Sequence, residues 1–123
     1  AEDDVHGCMA ANRDGAVALA RACAEAGIAY ATYSSDLVFD GQQDRPYVES
    51  DAPAPLNTYG RSKAEAEAAV RVAHPGALVL RTAAFFGTDD DWNFVTCALR
   101  ATARDVPVAA GDEVVSPTFV PDL

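Results

Sequence analysis

Residues 34–67 read SSDLVFDGQQDRPYVESDAPAPLNTYGRSKAEAE, and the fold is decided in this stretch. It opens with a hydroxyl pair, Ser34 and Ser35, at the end of a short β-rich run over 28–34 that is predicted to be a buried strand. The segment 39–58 follows, holding Gly41, Pro46, Pro53 and Pro55, and it is too proline-rich for a helix or a central strand. The stretch closes in alanine, glutamate, arginine and lysine, a helix predicted over 59–73 with Asn57 or Thr58 as its N-cap. A loop of that length between strand and helix usually has a task, such as covering a cleft.

Working outward, residues 5–26 are predicted helical, with Val17, Ala20, Cys23 and Ala24 at helical spacing and Gly27 as the stop. Downstream, Pro75 and Gly76 end the central helix, and 77–81 (ALVLR) is a short apolar strand. Asp89, Asp90 and Asp91 place negative charge at the start of a helix over about 92–103, as the helix dipole favours. Residues 106–109 and 114–120 read as short extended segments. This alternation is that of an α/β protein with a parallel sheet, right-handed crossovers placing helices on both faces. In such sheets ligands bind at the carboxyl ends of the strands. Ser34, Ser35 and Asp36 stand at one such end, and Arg81, Thr82, Ala83 and Ala84 at the next.

Composition excludes several functions. Nine basic residues against nineteen acidic ones give a formal net charge of −10, which repels a phosphate backbone and argues against nucleic-acid binding. An anionic nucleotide would need local positive groups or helix N-termini to be held. Half of the residues are hydrophobic, yet no apolar run approaches the roughly 20 residues of a membrane span. The acidic start is unlike a secretory signal. Cys8, Cys23 and Cys97 form no C-x-x-C, and as small residues of helical stretches they fit a reducing, cytoplasmic setting. His6 and His74 have no partners at metal-ligand spacing, so no metal is expected.

The basic residues are eight arginines and a single lysine, Lys63. It lies four residues after Tyr59, so the two side chains share a helix face. A free tyrosine ionises only near pH ~10 and is a poor proton carrier at neutrality; an ammonium one turn away favours its ionised form. A surface Tyr and Lys on an amphipathic helix would show the same spacing, and context has to decide between the two.

With its serine pair, D-x-V-F-D-G, proline-rich loop and P-L-N-T-Y-G-R-S-K, the central stretch resembles the catalytic segment of extended short-chain dehydrogenases/reductases. It is most similar to the dTDP-4-dehydrorhamnose reductase, sugar-nucleotide-binding branch. Asn12 followed by DGAVALARAC, LRTAAFFG followed by WNF, and GDEVVSPTFVPDL resemble that branch in the same order, so the likeness runs from about residue 11 to 123. It implies a portion of a Rossmann-like, doubly wound parallel sheet with flanking helices, forming one partial domain over 1–123. It also implies an NAD(P)H-dependent reduction of a nucleotide-linked 4-keto-deoxysugar. Tyr59 would protonate the keto oxygen. Lys63 would favour the tyrosinate and hydrogen-bond the nicotinamide ribose, with Ser34, Arg81 and Thr82 beside the cofactor. Ser35 would orient the keto oxygen.

Five further positions carry two readings each. Asp36 would assist the proton step or cap a turn after the strand. Asn12 would support the site or be a helix asparagine satisfied by its neighbours. Asn93 and Phe94 would face the sugar nucleotide, or be a helix-start Asn and a core Phe. Gly60 either permits a close approach or is an ordinary first-turn residue.

Two departures from the family pattern stand out. No Gly-rich pyrophosphate-binding turn occurs anywhere, so the chain reads as an internal portion of a longer protein, expected to hold NAD or NADP weakly by itself. In RTAAFFG, Ala84 replaces a bulkier or polar residue, which leaves the particular deoxysugar open. A non-catalytic sugar-nucleotide-binding or regulatory subunit, or a related epimerase or dehydratase, are the alternatives. An incomplete sheet would expose an edge, from which pairing into a homodimer is expected.

Overall fold

The N-terminal helical stretch begins where the Asp4 carboxylate accepts the Gly7 N–H at 2.8 Å, an N-cap that satisfies an otherwise unpaired donor. In the computed structural model, which describes residues 1–88, 90–109, 111–112 and 114–123, the stretch is α1 (Val5–Met9), a π-helical turn (Ala10–Asp14) and α2 (Gly15–Ala26). Sequence periodicity predicts one uninterrupted helix here. Instead the Gly15 N–H reaches back to the Ala10 carbonyl, and such a wide turn carries an extra residue that re-phases the side chains around it. Asn12 lies in that turn.

Gly27 ends α2 with φ 65°, in the left-handed region. Its N–H donates to the Ala24 carbonyl and the Ile28 N–H to that of Cys23, at 3.2 and 2.8 Å, a pairing that closes many helices. Ile28 is thereby used by the helix end, and β1 (Ala31–Ser35) starts later than the β-rich composition predicts. A single 3-10 turn, Asp36–Val38, follows β1. After the long loop come α3 (Thr58–Ala73) and β2 (Leu78–Thr82). β1 and β2 pair side by side, so strand, crossover helix and neighbouring strand form the βαβ unit expected of this class.

The loop between them has no regular element, but it is well tied down. Phe39 and Tyr47 stack at 4.0 Å between ring centroids, and the Tyr47 hydroxyl donates to Asp40 at 2.8 Å. Arg45 forks onto Asp51 at 2.7 and 2.9 Å; together with the Val48 N–H it pulls the Asp51 carboxyl down to about 2. The Ala54 N–H returns to the Val38 carbonyl at 2.8 Å. The buried apolar residues of this part are small, Ala20, Val38, Ala66 and Val70, as suits α2 packed closely on α3.

The chain divides into two compact units, 1–81 and 82–123. The second contains β3 (Phe85–Phe86) paired in parallel with β4 (Thr118–Phe119), and α4 (Phe94–Thr102). Phe86 and Phe119 pack at 5.2 Å between centroids. The predicted segment at 114–120 is a strand only at Thr118–Phe119, and 106–109 forms none. α4 begins at Phe94 because Asn93 is its N-cap, accepting the Thr96 N–H at 2.9 Å. Asp89, expected to contribute charge to this helix, lies outside the described residues. Ala84 adopts φ 40°, a left-handed conformation that suits no bulky side chain.

Gly60, in the first turn of α3, shows why these elements sit so close. A Cβ there would lie 2.0 Å from the Leu37 carbonyl oxygen and 3.1 Å from the Pro55 Cβ. Gly60→Ala is therefore expected to destabilise the chain by about 1–3 kcal/mol, despite alanine's better helix propensity of about 1 kcal/mol. Urea unfolding checks this; an equal or higher midpoint would mean that the Leu37 backbone yields freely.

Candidate functional site

α3 carries the groups on which the site is built. Asn57 accepts the Gly60 N–H at 2.6 Å and fixes where the helix begins. Glu2 accepts both the backbone N–H and the hydroxyl of Thr58, each at 2.7 Å. The Thr58 hydrogen bonds hold the Glu2 carboxyl below the usual range. Tyr59 follows at once, 37% exposed. Neither its hydroxyl nor the Lys63 ammonium is hydrogen-bonded within the described residues.

Beneath them Ser62 is fully buried. Its hydroxyl donates to the Tyr59 carbonyl at 2.7 Å and accepts from the Asn12 amide at 3.0 Å. The Cys8 thiol donates to Ser62 at 3.6 Å and accepts from Asn12 at 3.4 Å. The π-helical turn thus delivers Asn12 to a side chain, Ser62, and Ser62 passes the restraint on to the backbone of Tyr59. Asn12 is thus linked to α3 through this hydroxyl.

Lys63 lines a small cleft of about 10 Å³ with Asn12, Tyr33, Ser34 and Glu67, at the limit of what admits one water molecule. Half-burial pulls its ammonium below the ordinary lysine range, and the Glu67 charge one turn further on opposes that pull. Glu67 is 3% exposed. Arg81 reaches it with two parallel bonds, Nε to Oε1 at 2.9 Å and Nη2 to Oε2 at 2.7 Å. Burial pushes the Glu67 carboxyl up, but the Arg81 fork, the Ser34 hydroxyl and the charges of Arg81 and Arg71 together hold it below the usual range.

Ser35 is buried at the end of β1. Its hydroxyl donates to the Asp36 carboxylate at 3.0 Å and accepts from the Leu37 N–H at 3.2 Å, so this pair forms the turn that leaves the strand. Arg81 has its Nε and Nη2 on Glu67, and its guanidinium lies 4.8 Å over the Phe39 ring. Thr82, Asn93 and Phe94 belong to the second unit. There Asn93 is buried, its amide donating to the Gly87 and Asp90 carbonyls and to the Thr96 hydroxyl; Phe94 is half exposed.

Among the described residues no group of three His, Cys, Asp or Glu side chains could hold a metal ion, and none of their helices is long and apolar enough to cross a membrane. The His74 ring contacts the Ile28 carbonyl at 3.0 Å.

The family model of the RmlD substrate binding domain matches residues 1–123. The chain belongs to this family. It is 40% identical over 124 residues to the dTDP-4-dehydrorhamnose reductase of Sinorhizobium fredii, covering all of this chain and 42% of that protein. The crystal structure of the Bacillus anthracis dTDP-4-dehydrorhamnose reductase in complex with NADP superposes with a TM-score of 0.91 at 32% identity, over 99% of this chain and 44% of that one. MoeE5, in complex with UDP-glucose and NAD, superposes with a TM-score of 0.67 at 29% identity over 90% of this chain and 40% of that one. The chain thus spans about two-fifths of the length of the relatives it matches. The RmlD-family resemblance read from 34–67 therefore holds for the whole chain, and the α/β class with it.

Sequence reasoning passed over three members of the site. Glu67 continues the Tyr59–Lys63 spacing by one more turn, and Ser62 sits between the two; both signals were available. Glu2 is remote from Thr58 in the chain, and nothing in the sequence joins them.

Ser62→Ala is expected to lower stability by about 1–3 kcal/mol, because it removes the buried hydroxyl that accepts from the part-buried Asn12 amide and donates to the Tyr59 carbonyl. Chemical denaturation of the two chains measures it, and a change within about 0.5 kcal/mol would show that the Asn12–Ser62 link contributes nothing.

Proposed function

We propose that this chain is the catalytic segment of an NAD(P)H-dependent reductase of a nucleotide-linked 4-keto-deoxysugar, with Tyr59 as the proton donor. The observation that carries this reading is the state of the two donors. The Tyr59 hydroxyl and the Lys63 ammonium share one face of a helix anchored by Asn57, Glu2 and Ser62, and neither is hydrogen-bonded within the described residues. A ribose diol and a keto oxygen are groups such donors would take. Relatives bound to NADP, or to NAD and UDP-glucose, support that choice of cofactor and substrate class.

When bound, the nicotinamide supplies a hydride to the keto carbon. As charge develops on the keto oxygen, the Tyr59 hydroxyl transfers its proton there, and the product is the alcohol. Lys63 stabilises the phenolate left behind and donates to the ribose hydroxyls. Ser35 would donate its hydroxyl proton to the keto oxygen, turning it away from the Asp36 carboxylate that accepts it in the structure. Asn12 and Ser62 keep the Tyr59 backbone in place, and positioning of this kind matters because a misplacement of about 1 Å can cost about 100-fold in rate.

In the intact reductase, Tyr59→Phe is expected to lower kcat by at least about 100-fold, the contribution of a positioned general acid, with cofactor affinity nearly unchanged. Steady-state kinetics with an NDP-4-keto-deoxysugar and a fluorescence titration with NADPH measure the two. Unchanged turnover would overturn the catalytic assignment and favour a sugar-nucleotide-binding subunit.

A further inference from the structure

We propose that Glu67 is a positioning residue for Lys63: its buried carboxylate, clamped by Arg81, is the fixed counter-charge that keeps the Lys63 ammonium charged and aimed into its cleft. The inference deepens the reading above, since it takes Lys63 as a functional group.

Tyr59, Lys63 and Glu67 follow one another at single helical turns, so all three lie along one face of α3. The first is at the surface, the second half-buried and the third 3% exposed. A carboxylate at that depth stays ionised only if it is paired and hydrogen-bonded. The Arg81 fork from β2 does this. The fork is rigid in turn, because the guanidinium rests on Phe39 of the loop.

Stability alone does not explain such a pair, because well-packed apolar residues of similar volume are often as stable or more so. What the pair does supply is a negative charge with no freedom to move, one turn from the chain's single lysine. The other ionisable groups facing this region are few. On α3 they are Tyr59, Lys63 itself and Arg71, which reaches Glu67 at 3.9 Å. β1 contributes Tyr33, which lines the cleft. β2 contributes Arg81, on which Glu49 and Asp51 of the loop also act. Glu67 is the charge whose field reaches Lys63 and favours its protonated form.

The single lysine makes the test direct. With lysine labelled at its ε carbon, this chain gives one NMR signal whose pH titration belongs to Lys63 alone. Glu67→Gln is expected to lower the Lys63 midpoint by about 0.5 unit or more, and Glu67→Asp to restore most of it. The double variant E67M/R81M leaves no unpaired buried charge; because it removes the Arg81 cation as well, a smaller fall is expected of it if Glu67→Gln does not fold. A midpoint that stays put, or rises toward free lysine in a folded variant, overturns the inference, because loosening of a merely structural contact would move it upward. The titration needs neither cofactor nor substrate. Its failure is therefore distinguishable from a failure of the reductase reading, which rests on Tyr59→Phe turnover.

Discussion

A glutamate at 3% exposure needs an arginine, and meeting that need organises the first unit. The Glu67 carboxylate draws Arg81 from β2 across to α3, and Glu67 lines the small cleft together with Ser34 of β1. It also sets Arg81 over Phe39 at the start of the long loop. A single charge pair therefore touches both strands, the crossover helix and the loop. Its desolvation would be costly in isolation, several kcal/mol per ion by general expectation. The bidentate geometry offsets that cost, and it leaves one arrangement of these four elements satisfied. Arg81 Nη1 remains buried without a partner, so the satisfaction is incomplete on the arginine side.

The rest of the site is held by shorter, more local restraints. The first turn of α3 is fixed from three directions: by Asn57 at Gly60, by Glu2 at Thr58 and by Ser62 at Tyr59. The contact at Gly60 adds a steric limit, since Leu37 leaves no room for a Cβ. These restraints place the helix start directly over the 3-10 turn that follows Ser35. A tyrosine and a lysine one turn apart become a usable pair only when the helix carrying them cannot shift. In the reading proposed above, the capping and the close packing serve chemistry and not only folding.

Much of this was legible in the residues. The helix over 59–73, the proline-rich loop, Gly27 as a helix stop and the order of elements in the first unit all follow from propensity, capping and proline chemistry. So did the pairing of Tyr59 with Lys63, a matter of helical period. In the structure Asn93 caps α4, and Asp36 belongs to the turn after β1. The π-helical turn at Ala10–Asp14 was not legible, because residues of ordinary helix propensity carry no local signal that separates it from an α-helical turn. Nor was β3 paired with β4, where two residues on each strand are too few to set a period.

Sequence alone determined which residues form the helices, where the polypeptide must turn, and which family the catalytic stretch belongs to. Each of these depends on neighbours within a few positions, and such neighbours are visible in a string. Tertiary structure decided which polar groups are buried and what satisfies them. Glu67 and Arg81, Asn12 and Ser62, and Glu2 and Thr58 are joined only once strands and helices meet in space. The physical reason is that a buried charge or amide takes its partner from whatever the fold brings within about 3 Å. The Tyr59–Lys63 spacing is written in the sequence, but the environment that makes Lys63 half-buried and opposed by a fixed carboxylate is not.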